Sequence, residues 1–197
     1  MPGLKDIRNR IKAVKSTQQI TRAMKMVASA KFKRAEQQAI KYRNFKKKIE
    51  EIALTLAQRC DVKEYFMLDN NGSDTEGIIV ITSDRGLCGS FNSLLLKSIN
   101  HYIQELEAKN KKYKIWVIGR KGASYFAKNK MNIAKAFVGI YRDLDIKTAD
   151  KIANEMIEQY RTGQIGKIVL AFNYYKSILR QIITYRTLTP ISENIQQ

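Results

Sequence analysis

Between Leu4 and Asn71 the chain holds neither glycine nor proline, 68 residues without the two residue types that end helices. Apolar residues recur through this window at helical spacing: Leu4, Ile7, Ile11, Val14, then Ile20, Met24, Val27, and later Ile49, Ile52 and Leu56. The pattern predicts one helix over residues 4–58, roughly 80 Å long at the standard rise per residue. That exceeds the diameter of a domain this size, so much of the helix is expected to project. The stripe is narrow, with spacings of 3, 4 and 3 over residues 4–14, which reads as a coiled-coil seam and not as a globular core face. After Val14 the heptad frame would fall on Gln18 and Thr21; the apolar row resumes at Ile20, a slipped register. One helix cannot bury its own seam, and no other segment has matching length.

Charge concentrates in the same helix. The 197 residues carry 36 Lys or Arg against 18 Asp or Glu, a net charge of +18. Fifteen of those cations and only three acids (Asp6, Glu36, Glu50) fall in residues 1–50. Such a balance calls for a polyanionic partner: nucleic acid, an anionic membrane surface or an acidic protein face. Arg22 and Lys25 flank Met24, and Lys31, Lys33 and Arg34 surround Phe32, so charge and seam overlap.

Apolar residues make up 44% and aromatics 9% of the chain, enough for a core. No run of about 18 apolar residues exists to span a membrane. The start, MPGLKDIRNRIK, runs straight into helical periodicity and reads as carrying no presequence. Two cysteines, Cys60 and Cys88, are too few for a disulfide scaffold and suggest a reducing compartment.

Residues 61–76 read as a loop around Asn70-Asn71-Gly72-Ser73-Asp74. Beyond it strands and helices alternate. Gly77–Ser83, Lys114–Gly119 and Ile133–Gly139 read as strands; Ser90–Lys109, Lys121–Lys130 and Thr148–Arg161 read as helices. The first of these helices would bury Leu94, Leu95, Ile99, Ile103 and Leu106, and Thr148 would cap the last, with Asp150 in its first turn. Lys167–Tyr174 and Ser177–Leu188 form a predicted hairpin. The alternation implies a small Rossmann-like α/β domain with a mostly parallel sheet and an antiparallel edge.

The glycine-rich turn Asp84-Arg85-Gly86-Leu87-Cys88-Gly89 stands where such sheets usually bind ligands. It matches neither the dinucleotide fingerprint nor the phosphate loop. Ser90 replaces the last glycine that a nucleophile elbow would need. Gly86 and Gly89 are expected to serve a tight turn, Asp84-Arg85 local hydrogen bonding, and Cys88 to be a packed, inert thiol. His101 reads as a solvated helix residue, Cys60 as structural, and Asp143 and Asp145 as loop residues. No metal-ligand spacing or carboxylate pair stands out. The expectation is a scaffold with no catalytic, cofactor or metal residues.

Two stretches resemble a known family. Leu4–Ala35, LKDIRNRIKAVKSTQQITRAMKMVASAKFKRA, resembles the N-terminal shaft helix of gamma subunits of the F-type ATP synthase, and Ile81–Asn92, ITSDRGLCGSFN, resembles that family's signature turn. The resemblance covers the whole chain. It implies a central-stalk rotor: residues 1–60 half of an antiparallel coiled-coil shaft, 61–76 a linker, 77–190 an α/β foot, and 191–197 a stub where the family's second shaft helix would begin. By this reading the sequence is truncated or partial, and the seam Leu4, Ile7, Ile11, Val14, Ile20, Met24 and Val27 lacks its partner. The implied partners are the alpha and beta subunits of the catalytic head, the epsilon subunit and the membrane rotor c-ring. Arg22, Met24, Lys25, Asp84, Arg85 and Cys88 would meet the beta subunits. No cofactor, nucleic acid or direct small-molecule substrate is implied. The implied location is peripheral, on the cytoplasmic face of a bacterial inner membrane. The alternative is a basic coiled-coil nucleic-acid-binding protein; against it, zipper proteins place the basic stretch ahead of a regular seam. A nucleotide-dependent enzyme fails on the missing phosphate motif.

Overall fold

The computed structural model describes residues 3–59, 67, 71–142, 146–177 and 180–191. The chain divides into two compact units, Met1–Thr55 and Leu56–Gln197. Helix α1 runs unbroken over Leu4–Arg59, as the missing helix breakers require. Its N-terminus is closed reciprocally: the Asp6 N–H donates to the Gly3 carbonyl (2.9 Å) and the Gly3 N–H to Asp6 Oδ2 (3.2 Å). Near its other end Lys46 pairs with Glu50 and Lys48 with Glu51. Every seam residue within the first unit is exposed, from 47% at Ile7 to 78% at Leu4.

The second unit is built on five strands: β1 (Thr75–Ile81), β2 (Lys112–Ile118), β3 (Ile133–Phe137), β4 (Lys167–Tyr175) and β5 (Gln181–Thr189). Their order is β3-β2-β1-β4-β5, parallel except for β5, which pairs antiparallel with β4. Helices α2 (Phe91–Ala108), α3 (Arg120–Lys128) and α4 (Ile146–Arg161) complete the unit. Alternation along the strands divides the core into two clusters. Ile78, Val80, Ile115 and Val117 pack with Leu95, Ile99 and Ile103 of α2 and Phe126 of α3. Ile79, Trp116 and Ile118 pack with Ile152, Met156 and Tyr160 of α4. Each such side chain contributes about 1.5–3 kcal/mol.

Several boundaries differ from expectation. Thr75 and Glu76 belong to β1 and not to the linker, because they pair in register with Lys112 and Tyr113. Glu76 is buried there, and its carboxylate accepts from the Tyr102 hydroxyl (2.6 Å) and Lys111 Nζ (3.5 Å). In α2 the buried stripe takes Leu96, while Leu94 is 53% exposed. Helix α4 starts at Ile146, so Thr148 lies inside its first turn and is not the cap. Cys60, Asp143, Asp145 and residues 192–197 lie outside the described residues.

Candidate functional site in the turn after the first strand

Strand β1 ends at the middle of the sheet, and the chain must leave it there to start α2. Thr82 continues the edge of the ladder: its N–H donates to the Ile118 carbonyl (2.8 Å), and its hydroxyl accepts from the Gly122 N–H (2.9 Å). Asp84 reaches across two neighbouring elements. Its Oδ1 accepts from the Arg120 N–H (2.8 Å), at the first residue of α3, and its Oδ2 from the Gly139 N–H (3.1 Å), just past β3. The Lys121 N–H donates to the Ser83 carbonyl (3.0 Å). All three N–H groups that open α3 are therefore taken by residues of this turn. In a doubly wound sheet a phosphate would sit at the N-terminus of the helix after the first strand, here α2, at the switch between β1 and β4. The Asp84 carboxylate instead caps α3, on the side of β2 and β3.

Close approach makes this possible. A Cβ on Gly119 would stand 2.1 Å from the Thr82 carbonyl oxygen, and the residue adopts a φ of +103°. The Tyr141 hydroxyl closes the arrangement by donating to the same carbonyl (2.5 Å). Burial first, and the Asp84 charge second, push the Tyr141 pKa up to about 12.

The far side of the turn is closed by Asn92. Its Oδ1 accepts from the Ser83 N–H (3.0 Å), and its Nδ2 donates to Ser83 Oγ (2.7 Å) and lies 3.2 Å from Cys88 Sγ. The Ser83 hydroxyl in turn donates to the Arg85 carbonyl (2.6 Å). Cys88 is exposed, not packed as expected, because its sulfur lies against the polar groups of Asn92 and Ser83 (3.9 Å to Ser83 Oγ) and not in the core. The tip, from Arg85 to Ser90, is exposed throughout.

Of the residues picked out for partner contact, Arg85 and Cys88 are exposed in this turn, while both oxygens of Asp84 are engaged within the unit. Arg22, Met24 and Lys25 are exposed on α1, in the other unit. The nearest acids along the sequence are Asp6 and Glu36, several helical turns away. His101 is exposed and pairs with Glu105 (3.2 Å). Thr82, Ser83, Asn92, Leu87 and Tyr141 went unremarked in the sequence; only the pairing of Ser83 and Asn92 with a turn carried a local signal. Among the described residues no cluster of His, Cys, Asp or Glu could hold a metal, and no helix is long and apolar enough to cross a membrane.

These features define a doubly wound α/β unit whose turn after the first strand is clasped by its own side chains, on a chain that opens with a long basic helix. A family profile described as ATP synthase matches residues 3–197. The ATP synthase gamma chain of Chlorobium phaeobacteroides (strain DSM 266) is 39% identical over 196 residues, covering 98% of this chain and 67% of the relative. That of Anaeromyxobacter sp. (strain Fw109-5) is 38% identical over 194 residues, covering 97% and 67%. Among solved structures, the central stalk and c-ring of Tetrahymena thermophila mitochondrial ATP synthase aligns with a TM-score of 0.67 at 25% identity, over 88% of this chain and 74% of that one. The rotor of the Euglena gracilis enzyme shares the fold, with a TM-score of 0.59 at 21% identity over 92% and 61%. The chain belongs to the ATP synthase gamma chain family and spans about two thirds of the length of these gamma chains. Nothing among these relatives supports the nucleic-acid-binding alternative.

Proposed function

We propose that this chain acts as a central-stalk rotor subunit of an F-type, proton-translocating ATP synthase, passing torque between the membrane ring and the catalytic head without chemistry of its own. Family membership supports the rotor role. The observation that carries the mechanism is the row of cations on α1: exposed Arg22 and Lys25 beside exposed Met24, with no acid between Asp6 and Glu36. Cations left without local carboxylates seek them on a partner, and the acidic faces of the beta subunits supply them. As the shaft turns, each contact forms in some orientations and not in others. A charge-assisted contact contributes roughly 1.5–3 kcal/mol when desolvated and about 0.2–1 kcal/mol at an open surface. Contacts of that size bias the partner's conformation by shaft angle.

The turn after β1 supports a non-catalytic reading, because it carries neither phosphate-binding motif and commits its Asp84 to the Arg120 and Gly139 N–H groups. Arg85 and Cys88 join Arg22, Met24 and Lys25 as proposed contacts with the beta subunits. Asp84 positions the turn instead of touching the partner. The epsilon subunit and the c-ring are the proposed partners of the α/β unit, and the complex is peripheral on the cytoplasmic face of a bacterial inner membrane.

The test is charge reversal in the assembled enzyme reconstituted into vesicles. Arg22→Glu with Lys25→Glu is expected to leave assembly intact and to lower protons pumped per ATP hydrolysed at least threefold. Normal pumping per ATP in fully assembled complexes would refute the role of these cations.

A further inference from the structure

Helix α1 carries two apolar stripes that face different ways. At about 100° per residue, Leu4, Ile7, Ile11 and Val14 fall within an arc of roughly 80°. Ile20, Met24 and Val27 are centred roughly 150° away around the helix. Past Val14 the line of the first stripe turns polar, with Gln18, Arg22 and Lys25 in it. The first stripe is therefore a bounded patch of about three helical turns. All four of its residues are exposed.

Cations border the patch on both sides. Helical spacing puts Arg8 and Lys15 along one edge and Arg10 along the other, with Lys5 and Lys12 farther round. Five cations thus stand against one acid between Leu4 and Lys15, and that acid, Asp6, accepts from the Gly3 N–H. Among the described residues none of the five is in an ion pair with a carboxylate. The later stripe of Ile49 and Ile52 is equally exposed, yet it lies beside Glu50 and Glu51, which pair with Lys46 and Lys48. Only the first stripe joins an apolar face to unbalanced positive charge at both borders.

We propose that, before the chain joins its partners, the first three turns of α1 lie in the surface of an anionic lipid bilayer. The stripe sinks to the acyl boundary, and the long stems of Arg8, Arg10 and Lys15 carry their charges up to the lipid phosphates. This goes beyond the rotor reading, and the two uses exclude each other, because a shaft partner would cover the same four residues. Nucleic acid would engage the cations and leave the stripe bare. A second copy of the chain would bury the stripe but bring two rows of like charge together. A bilayer with anionic headgroups satisfies stripe and cations at once.

The test is co-sedimentation of the full chain with vesicles of equal parts phosphatidylcholine and phosphatidylglycerol, against vesicles of phosphatidylcholine alone. The unaltered chain is expected to bind the mixed vesicles at least tenfold more tightly. Ile7→Gln with Ile11→Gln keeps every charge, and glutamine is no worse a helix former than isoleucine. That pair is expected to weaken binding to the mixed vesicles at least tenfold. Ile49→Gln with Ile52→Gln removes as much apolar surface from the later stripe and is expected to bind within twofold of the unaltered chain. Binding of the Ile7 and Ile11 variant within twofold would show that charge alone holds the helix, and would overturn the proposal. Equal weakening by both pairs, or no sedimentation of the unaltered chain, would overturn it too. If the Ile7 and Ile11 variant instead turns a lipid-free dimer into a monomer, a second copy covers the stripe and the proposal falls. None of these outcomes bears on the rotor reading, which is tested by pumping.

Discussion

Asp84→Ala should cost the α/β unit far more than a half-exposed loop residue usually does. Helix α3 has glycine at its N-cap, position 119, and so has no side-chain cap of its own. The cap is delivered from 36 residues earlier by Asp84 Oδ1 on the Arg120 N–H, while Oδ2 holds Gly139 beyond β3. Losing an N-cap acceptor costs about 1 kcal/mol. Losing the negative charge at the helix N-terminus costs about 0.3–1 kcal/mol more. The second bond, to Gly139, adds roughly 1 kcal/mol at this partly exposed position. The sum is roughly 2–3 kcal/mol. Asp84→Asn keeps one acceptor oxygen and loses the charge, so it should fall about midway. Trp116 is the only tryptophan, lies in β2 and is 1% exposed, so its fluorescence reports on this unit and not on α1. For a unit of this size the loss corresponds to a fall of roughly 6–12 °C in the thermal midpoint. A midpoint for Asp84→Ala within about 2 °C of the unaltered chain would refute the clasp.

Gly119→Ala is expected to prevent the unit from folding, since the new methyl would meet a backbone oxygen at 2.1 Å with no flexible side chain to yield; a cooperative Trp116 transition near the original midpoint would contradict this. Tyr141 gives a pH signature. Its folded pKa, about 12, lies above the ordinary value of about 10. The stability it contributes is therefore whole below pH ~10 and is lost as pH rises through ~12. The ring is 40% exposed, so solvent screening limits the loss to roughly 1–2 kcal/mol. Denaturant titrations from pH 9 to 12 should show a shallower decline in Tyr141→Phe than in the unaltered chain, and parallel declines would count against the assignment.

Periodicity and the absence of breakers made α1 legible nearly to its last residue, because helix formation depends on neighbours three and four apart. The alternation of elements and the hairpin at the end were legible for similar reasons. Strand starts were not. Thr75 and Glu76 are polar, and only pairing with residues 37 positions away makes them strand. The expected cap at Thr148 failed because the chemistry of a good cap does not say where tertiary packing begins the helix. The turn was recognisable as a unit, yet its logic was hidden. Asp84 meets Arg120 and Gly139 across distances no local pattern records.

The place of β1 bears on how the chain is made. It is the first of the described strands to be synthesised and the central one, with β2 on one side and β4 on the other. A parallel neighbour cannot be supplied by a tight turn, so β1 must wait. β2 is complete at Ile118, but β4 does not begin until Lys167. At ~5–20 residues per second, roughly 4–17 s separate the end of β1 from the start of β4. Through that interval Ile78, Ile79 and Val80 present an open, uncharged strand edge to whatever is nearby. A nascent chain is thus most prone to aggregate between the synthesis of Ile81 and that of Lys167, and pairing of β4 with β1 closes that window.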